Sequence, residues 1–223
     1  MFWDHEYASN KRLWGEQPSE LAVAAVAYLK KYRANDETID LLDIGCGYGR
    51  DALYFLDNLA CTILAIDMSE KAVSMAAGAA LEKQKEGVDF RCCSFTELGE
   101  QRHDVVFLSN FYQILERDER TQLRQVVRRT LRTDGLLFMS TLSINDPEHR
   151  GKGSPIPDEP NSFRDKVYLH LCSGEELTED FDFLRINALY EHEYDEPRAT
   201  GETHHHISWI LIGQNVTASS GPT

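Results

Sequence analysis

One stretch constrains the fold of this chain more than any other: Leu41-Leu42-Asp43-Ile44-Gly45-Cys46-Gly47-Tyr48-Gly49-Arg50. An apolar run carrying a single acid leads straight into three glycines at alternate positions. Glycine reaches positive φ at little cost and has no Cβ to hold a ligand away from the backbone. The stretch therefore reads as a buried strand ending in a tight turn with open main chain. From Ile39 onward, strand-like and helix-like segments alternate. Strands are expected over Ile39–Ile44, Thr62–Asp67, Val88–Cys92, Asp104–Ser109 and Leu136–Leu142, and helices over Asp51–Asn58, Ser69–Glu86 and Asp118–Arg132. Ser19 suits the N-cap of an earlier helix with Leu21, Ala25, Tyr28, Leu29 and Tyr32 on its apolar face. Thr133-Asp134-Gly135 reads as a helix stop. This alternation predicts a doubly wound, Rossmann-like α/β sheet with helices on both faces.

The pattern changes after Leu142. Residues 144–167 are rich in Pro, Gly, Asp and Asn. A connection of this length reads as a functional lid, so 143–172 is expected to lie as an insertion loop over an active site. Ser173-Gly174-Glu175-Glu176 has the form of a capping box for a short helix. Phe183–Tyr194 and Thr203–Gln214 then read as two strands of an antiparallel hairpin joined through Asp195–Glu202. Residues 1–217 are expected to form one domain, with 1–37 as an N-terminal lid and helix and 218–223 as a disordered tail.

Composition narrows the partners. A net charge of −14 disfavours nucleic acid as substrate, and Arg124, Arg128, Arg129 and Arg132, at helical spacing, read as a solvated face. No apolar run approaches the length of a membrane span. The first residues lack the basic start and apolar stretch of a signal peptide. Five cysteines form neither a C-x-x-C pair nor an even framework, which fits reduced thiols in a cytoplasm. The expected partner is a small molecule, and the expected state is a monomer or homodimer.

The dinucleotide fingerprint needs G-x-G-x-x-G, whereas this chain has G-x-G-x-G with Asp43 two places before the first glycine. That wording resembles the first motif of the class I methyltransferases dependent on S-adenosyl-L-methionine (SAM), written D-x-G-x-G-x-G. The resemblance implies a seven-stranded sheet whose last strand is antiparallel, SAM as cofactor, and S-adenosylhomocysteine as product. It implies donor contacts from the motif residues Asp43, Gly45, Cys46, Gly47, Gly49 and Arg50. Asp67, 24 positions after Asp43, inherits the ribose hydroxyls, and Met68 the adenine face. Ser94 stands where the family often has an acid that reads the adenine amino group, with Phe95 supplying the next amide. Asn110, Phe111 and Tyr112 follow the fourth strand, where the family lines the floor beneath the sulfonium. There is no Asn-Pro-Pro-Tyr-like tetrapeptide there. Phe2-Trp3-Asp4, the long loop and the compact size resemble stand-alone small-molecule enzymes, including the tellurite-resistance and thiopurine-type branches.

Ligands of open α/β sheets sit outside the carboxyl ends of the parallel strands. If Phe183–Tyr194 is parallel to the earlier strands, its end and the start of Thr203–Gln214 reach that same mouth. Residues i and i+2 of a strand share a face, so His204 and His206 point one way and His205 the other. His204, His206 and His149 are the candidate catalytic groups, since an imidazole suits a proton-accepting role near neutral pH. Tyr7, Trp14, Phe111, Tyr112 and His192 are the candidate acceptor contacts. No metal is expected, because no spacing fixes a third ligand. The function expected is methyl transfer from SAM to a thiol, chalcogen or metalloid, amine or hydroxyl acceptor by direct displacement. An NAD-dependent oxidoreductase and a non-catalytic SAM-binding protein are the alternatives.

Overall fold

The computed structural model describes residues 2–9, 13–32, 37–197 and 203–216. The expected tail and the turn at 198–202 lie outside the described residues. Helix α1 (Phe2–Ser9) and α2 (Glu20–Tyr32) precede the alternating part: β1 (Ile39–Ile44), α3 (Arg50–Asn58), β2 (Cys61–Asp67), α4 (Glu70–Glu82), β3 (Val88–Cys92), β4 (His103–Ser109), α5 (Arg117–Thr130) and β5 (Leu131–Leu142). Three short strands follow, β6 (Ser154–Pro155), β7 (Ser162–Arg164) and β8 (Tyr168–His170), then α6 (Gly174–Asp180), β9 (Arg185–Pro197) and β10 (Thr203–Gln214).

The main sheet has seven strands in the order β3-β2-β1-β4-β5-β10-β9. The first five pair in parallel, and β10 runs antiparallel to both β5 and β9. Alternation within the strands builds two cores. Leu41, Val105 and Phe107 face α2 and α3, while Leu42, Val106 and Leu108 face α5 and α6. Strands buried on both faces read as continuous apolar runs, which is why β1 and β4 were legible.

Several boundaries differ from expectation. Helix α4 stops at Glu82, because Gln84 and Gly87 take positive φ and turn the chain. Helix α5 stops at Thr130, and Thr133-Asp134-Gly135 lies inside β5, where the Asp134 amide donates to the Asn215 carbonyl at 2.6 Å. The start of β9 slides to Arg185 because Phe181 and Leu184 are buried in the α6–β9 turn. The 143–172 segment is no bare loop: β6, β7 and β8 form a separate antiparallel sheet. It is fastened to α5 by buried Arg120, which donates to Glu159 (2.8 Å) and to the Tyr168 hydroxyl (2.7 Å).

The expected solvated arginine face holds in part: Arg128 and Arg132 are exposed and Arg124 and Arg129 half-buried, and all four also make contacts within the fold. Arg124 bonds Tyr112 and Asp180, Arg128 covers the Phe183 ring, Arg129 reaches the Leu98 carbonyl, and Arg132 pairs with Asp40 and Asp104. Among the described residues no helix is long and apolar enough to cross a membrane.

Candidate functional site

A cavity of about 650 Å³ opens at the carboxyl ends of β1, β2, β4 and β5. Its donor-side wall is the glycine turn. Gly45, Gly47 and Gly49 have φ of 79°, 54° and 78°, a region that side chains with a Cβ rarely enter. A Cβ on Gly45 would stand 2.4 Å from the Phe111 ring, and one on Gly47 would stand 3.0 Å from the Tyr7 hydroxyl. The two glycines keep main chain at the cavity surface. Gly49 does not line it. Its open side faces Ala76 Cβ at 2.9 Å, so it allows α3 and α4 to approach.

Three carboxylates gather behind this turn. Asp43 is buried, and its Oδ2 has no hydrogen-bond partner among the described residues. Burial, then the charges of Asp51 and Asp67, push its pKa well above the usual carboxylate range. Asp67 Oδ2 accepts from the Gly47 amide at 2.9 Å and Oδ1 from the Ser69 amide at 2.8 Å. Burial raises its pKa too, and the amide bonds work against that. Cys46, Arg50, Met68, Ser94, Phe95 and Asn110 all line the same cavity. The Ser94 hydroxyl caps its own turn by accepting from the Thr96 amide at 3.2 Å. Asn110 holds φ of 51°, pinned by its amide to the Ser140 hydroxyl at 3.1 Å.

The N-terminal segment closes the donor side. Asp4 accepts from the Ser69 hydroxyl at 2.7 Å, which seats α1 on the start of α4. Buried Tyr7 then lies over Gly47, its pKa raised by burial and next by Asp67. The Trp14 amide donates to the Tyr48 hydroxyl at 3.0 Å, Tyr48 donates to the Gly15 carbonyl at 2.6 Å, and Arg50 donates to the Trp14 carbonyl. Tyr7 and Trp14, expected at the acceptor, thus stand against the glycine turn.

The opposite wall comes from the loop after β5, from β9 and β10, and from the turn after β4. Phe111, His149, Tyr194 and His206 line it, with Val167 and Leu169 from the small sheet above. Asp146 organises this wall, and nothing in the sequence reading marked it. Fully buried, it accepts at Oδ1 from the His149 amide (2.9 Å) and from His149 Nδ1 (2.9 Å). At Oδ2 it accepts from the Ile207 amide (2.9 Å) and from His206 Nδ1 (3.1 Å). Burial alone would raise its pKa, but the bonds from His149, His206 and Ile207 outweigh that and hold it below the usual range. The two imidazoles stack at 5.2 Å between centroids. The signal available was the D-x-x-H spacing, which lets an aspartate accept from the amide three residues on.

Gln113 was also missed. It lines the cavity, is buried, and its Oε1 lacks a partner within the protein. Three expected contacts do not reach the cavity. Tyr112 is fully buried in the core, donating to Asp180 at 2.5 Å and accepting from Arg124 at 2.8 Å. His192 lies two residues further from the mouth than Tyr194, with Nε2 3.6 Å from Glu20. His204 shares the face of His206 but sits beyond the rim, its Nδ1 3.9 Å from Glu148.

Glycine turn, paired acids and sheet order together have the form of the class I methyltransferase fold. Residues 41–135 match the family model of methyltransferase domains. In solved structures it is similar to the protein described for conversion of a disulfide bond into a thioacetal group during echinomycin biosynthesis. That pair shares 23% identity at a TM-score of 0.72, covering 98% of this chain and 92% of the other. It is similar also to a SAM-dependent methyltransferase from Methanosarcina mazei (21% identity, TM-score 0.71, 85% and 97% covered). A third likeness is the 1,6-didemethyltoxoflavin-N1-methyltransferase of Burkholderia thailandensis (20%, TM-score 0.61, 89% and 79% covered). No curated protein matches the chain in sequence. The family match sets aside the oxidoreductase alternative.

Proposed function

We propose that the chain transfers the methyl group of SAM to a small molecule held between the glycine turn and the Asp146 wall. The observation that carries the donor half is the buried Asp43 Oδ2, without a hydrogen-bond partner among the described residues, behind two glycines that line the cavity. A buried acceptor atom without a donor is costly unless a ligand completes it. The methionine ammonium of SAM is a donor of the right charge.

Asp67 takes the ribose hydroxyls, since each of its oxygens already holds one amide and keeps further acceptor capacity. Half-exposed Met68 covers one adenine face, and the Phe95 amide meets the ring. Tyr7 and Trp14 enclose the donor and exclude water. When bound, SAM supplies an electrophilic methyl on sulfonium and its own leaving group. The chain then has to align the nucleophile and keep the site dry, which is where direct displacement gains most. Phe111 and Asn110 form the floor, and His149 and His206 meet the acceptor's reacting atom. Gln113 Oε1 favours an acceptor that carries an N–H or O–H, which fits the thiol, amine and hydroxyl compounds expected from the sequence when they bear such a group. The descriptions of the echinomycin and toxoflavin proteins, which act on small molecules, support that class.

Calorimetric titration of SAM and S-adenosylhomocysteine into the protein and into Asp67→Ala tests the donor half. Saturable 1:1 binding that weakens by about 100-fold or more in the variant is expected, the loss of two charge-assisted hydrogen bonds. Unchanged affinity would remove Asp67 from the donor site.

A further inference from the structure

We propose that Asp146, His149 and His206 form a site for one divalent transition-metal ion of the zinc class, at the acceptor end of the cavity. The inference rests on the acceptor lying against this wall. Each residue offers a ligand atom, and these atoms all lie within 4.8 Å of one another. The two carboxylate-to-imidazole distances are 2.9 and 3.1 Å. Those distances run to different carboxylate oxygens, and ligands bonded at about 2.0–2.1 Å stand roughly 3.0–3.4 Å apart around a small cation, so the set would draw in from its present spread of up to 4.8 Å.

The set is drawn from two separate parts of the chain, the loop after β5 and the first residues of β10. Backbone amides of His149 and Ile207 hold the carboxylate from outside. Ligating carboxylates are themselves hydrogen-bonded in this manner, and such outer contacts fix the ligand geometry. Charge points the same way. Among the described residues, the partners recorded for the fully buried Asp146 are two imidazoles and two amides, with no guanidinium or ammonium group. A cation held by these ligands cancels that buried charge.

A second His-containing cluster, His170, Cys172 and Glu176, makes a useful contrast. Both its imidazole nitrogens are already taken, Nδ1 by the Ser162 hydroxyl (2.8 Å) and Nε2 by Glu176 (2.6 Å). It fastens the small sheet to α6. His149 and His206, by comparison, line the cavity.

Three protein ligands with a remaining position facing substrate is the pattern of a catalytic metal site. Its chemistry here is Lewis acidity toward an acceptor thiol or hydroxyl. The acceptor's S–H or O–H bond breaks and the proton passes to water. The lone pair so freed forms the bond to the methyl carbon as the carbon–sulfonium bond breaks. One methyl moves, one proton is released, and no electron is exchanged with any other reagent. The imidazoles then serve as ligands, a different role from the base expected of them in the sequence.

The test is titration of metal-free protein with Co2+, followed by visible absorption and calorimetry, with Zn2+ as competitor. One equivalent of Co2+ should bind with d–d bands that Zn2+ abolishes. His149→Ala and His206→Ala should each weaken binding by about 100-fold or more, while His205→Ala, on the other face of β10, should retain it. Absence of saturable Co2+ binding, or binding unaltered in both variants, overturns the proposal and leaves a hydrogen-bonded Asp–His cluster. SAM titration of the same samples separates the outcomes, because loss of SAM binding would strike the donor reading and leave the metal result standing.

Discussion

The two walls of the cavity are built on opposite principles. The donor wall is nearly contiguous in sequence: Asp43 to Arg50 supplies the turn, and the end of the adjacent parallel strand supplies Asp67. Its geometry follows from local backbone chemistry, with glycines at positive φ and two amides on one carboxylate. The acceptor wall is assembled across the fold. Asp146 meets His206 across 60 positions and the Ile207 amide across 61. Its position depends on β10 entering the sheet antiparallel beside β5, and on the Ser143 amide reaching the Ile207 carbonyl at 2.9 Å. A locally encoded wall suits a constant donor, and a wall built from long-range packing can change its acceptor without touching the donor turn.

The sharpest way to break this comparison is to fill the turn. Gly45→Val would set a side chain against Phe111, starting from a Cβ 2.4 Å away, at a φ of 79° that a β-branched residue does not hold without strain. Complete loss of measurable SAM binding is expected, along with destabilisation of several kcal/mol from strain and overpacking. Gly47→Ala is milder, since only the Tyr7 hydroxyl stands near. It should keep the fold by circular dichroism and still weaken SAM. Wild-type affinity in both would show that main chain at this turn does not meet the donor.

Legibility followed the same division. The succession of strands along the chain and both acids of the donor wall could be read because β1 and β4 are buried on both faces and the glycine spacing carries its own conformational requirement. Asp146 was passed over for a physical reason: its D-x-x-H spacing is ordinary loop chemistry until its partners from β10 are known. Tyr112 failed for the converse reason. It follows Phe111 directly, but the short helical turn there rotates neighbouring side chains apart, sending Phe111 to the cavity and Tyr112 into the core. The small β6–β8 sheet was missed because strands of two and three residues are too short to show alternation. Arg120, which the arginine pattern did not include, is its buried anchor.

A second pair of changes probes the acceptor wall. His206→Ala should lower turnover by about 100- to 10,000-fold, the range for losing a positioned catalytic group, with SAM affinity within about threefold of wild type. His204→Ala, beyond the rim and near Glu148, should change turnover by less than about threefold. The outcome to look for against this assignment is equal loss in both, since that would place the acceptor along the strand face outside the cavity.

The smallest effect concerns the cost of keeping Asp43 ready for a ligand. Burial, Asp51 and Asp67 raise its pKa in the folded state above the value in the unfolded chain. The folded state therefore binds this proton more tightly, and its contribution to stability is full below the unfolded pKa and lost as pH rises through the folded one. Asp43→Asn has nearly the same shape and no titration. Without SAM, the variant should melt a few degrees above wild type near neutral pH, and the gap should widen as pH rises toward the folded pKa of Asp43. In the variant, SAM should bind more weakly and raise the melting temperature less than it does in wild type. Melting curves with and without SAM across a pH series would measure both. A gap that stays constant with pH would mean that Asp43 does not titrate in this range, and that its unpartnered oxygen is met by something other than the donor.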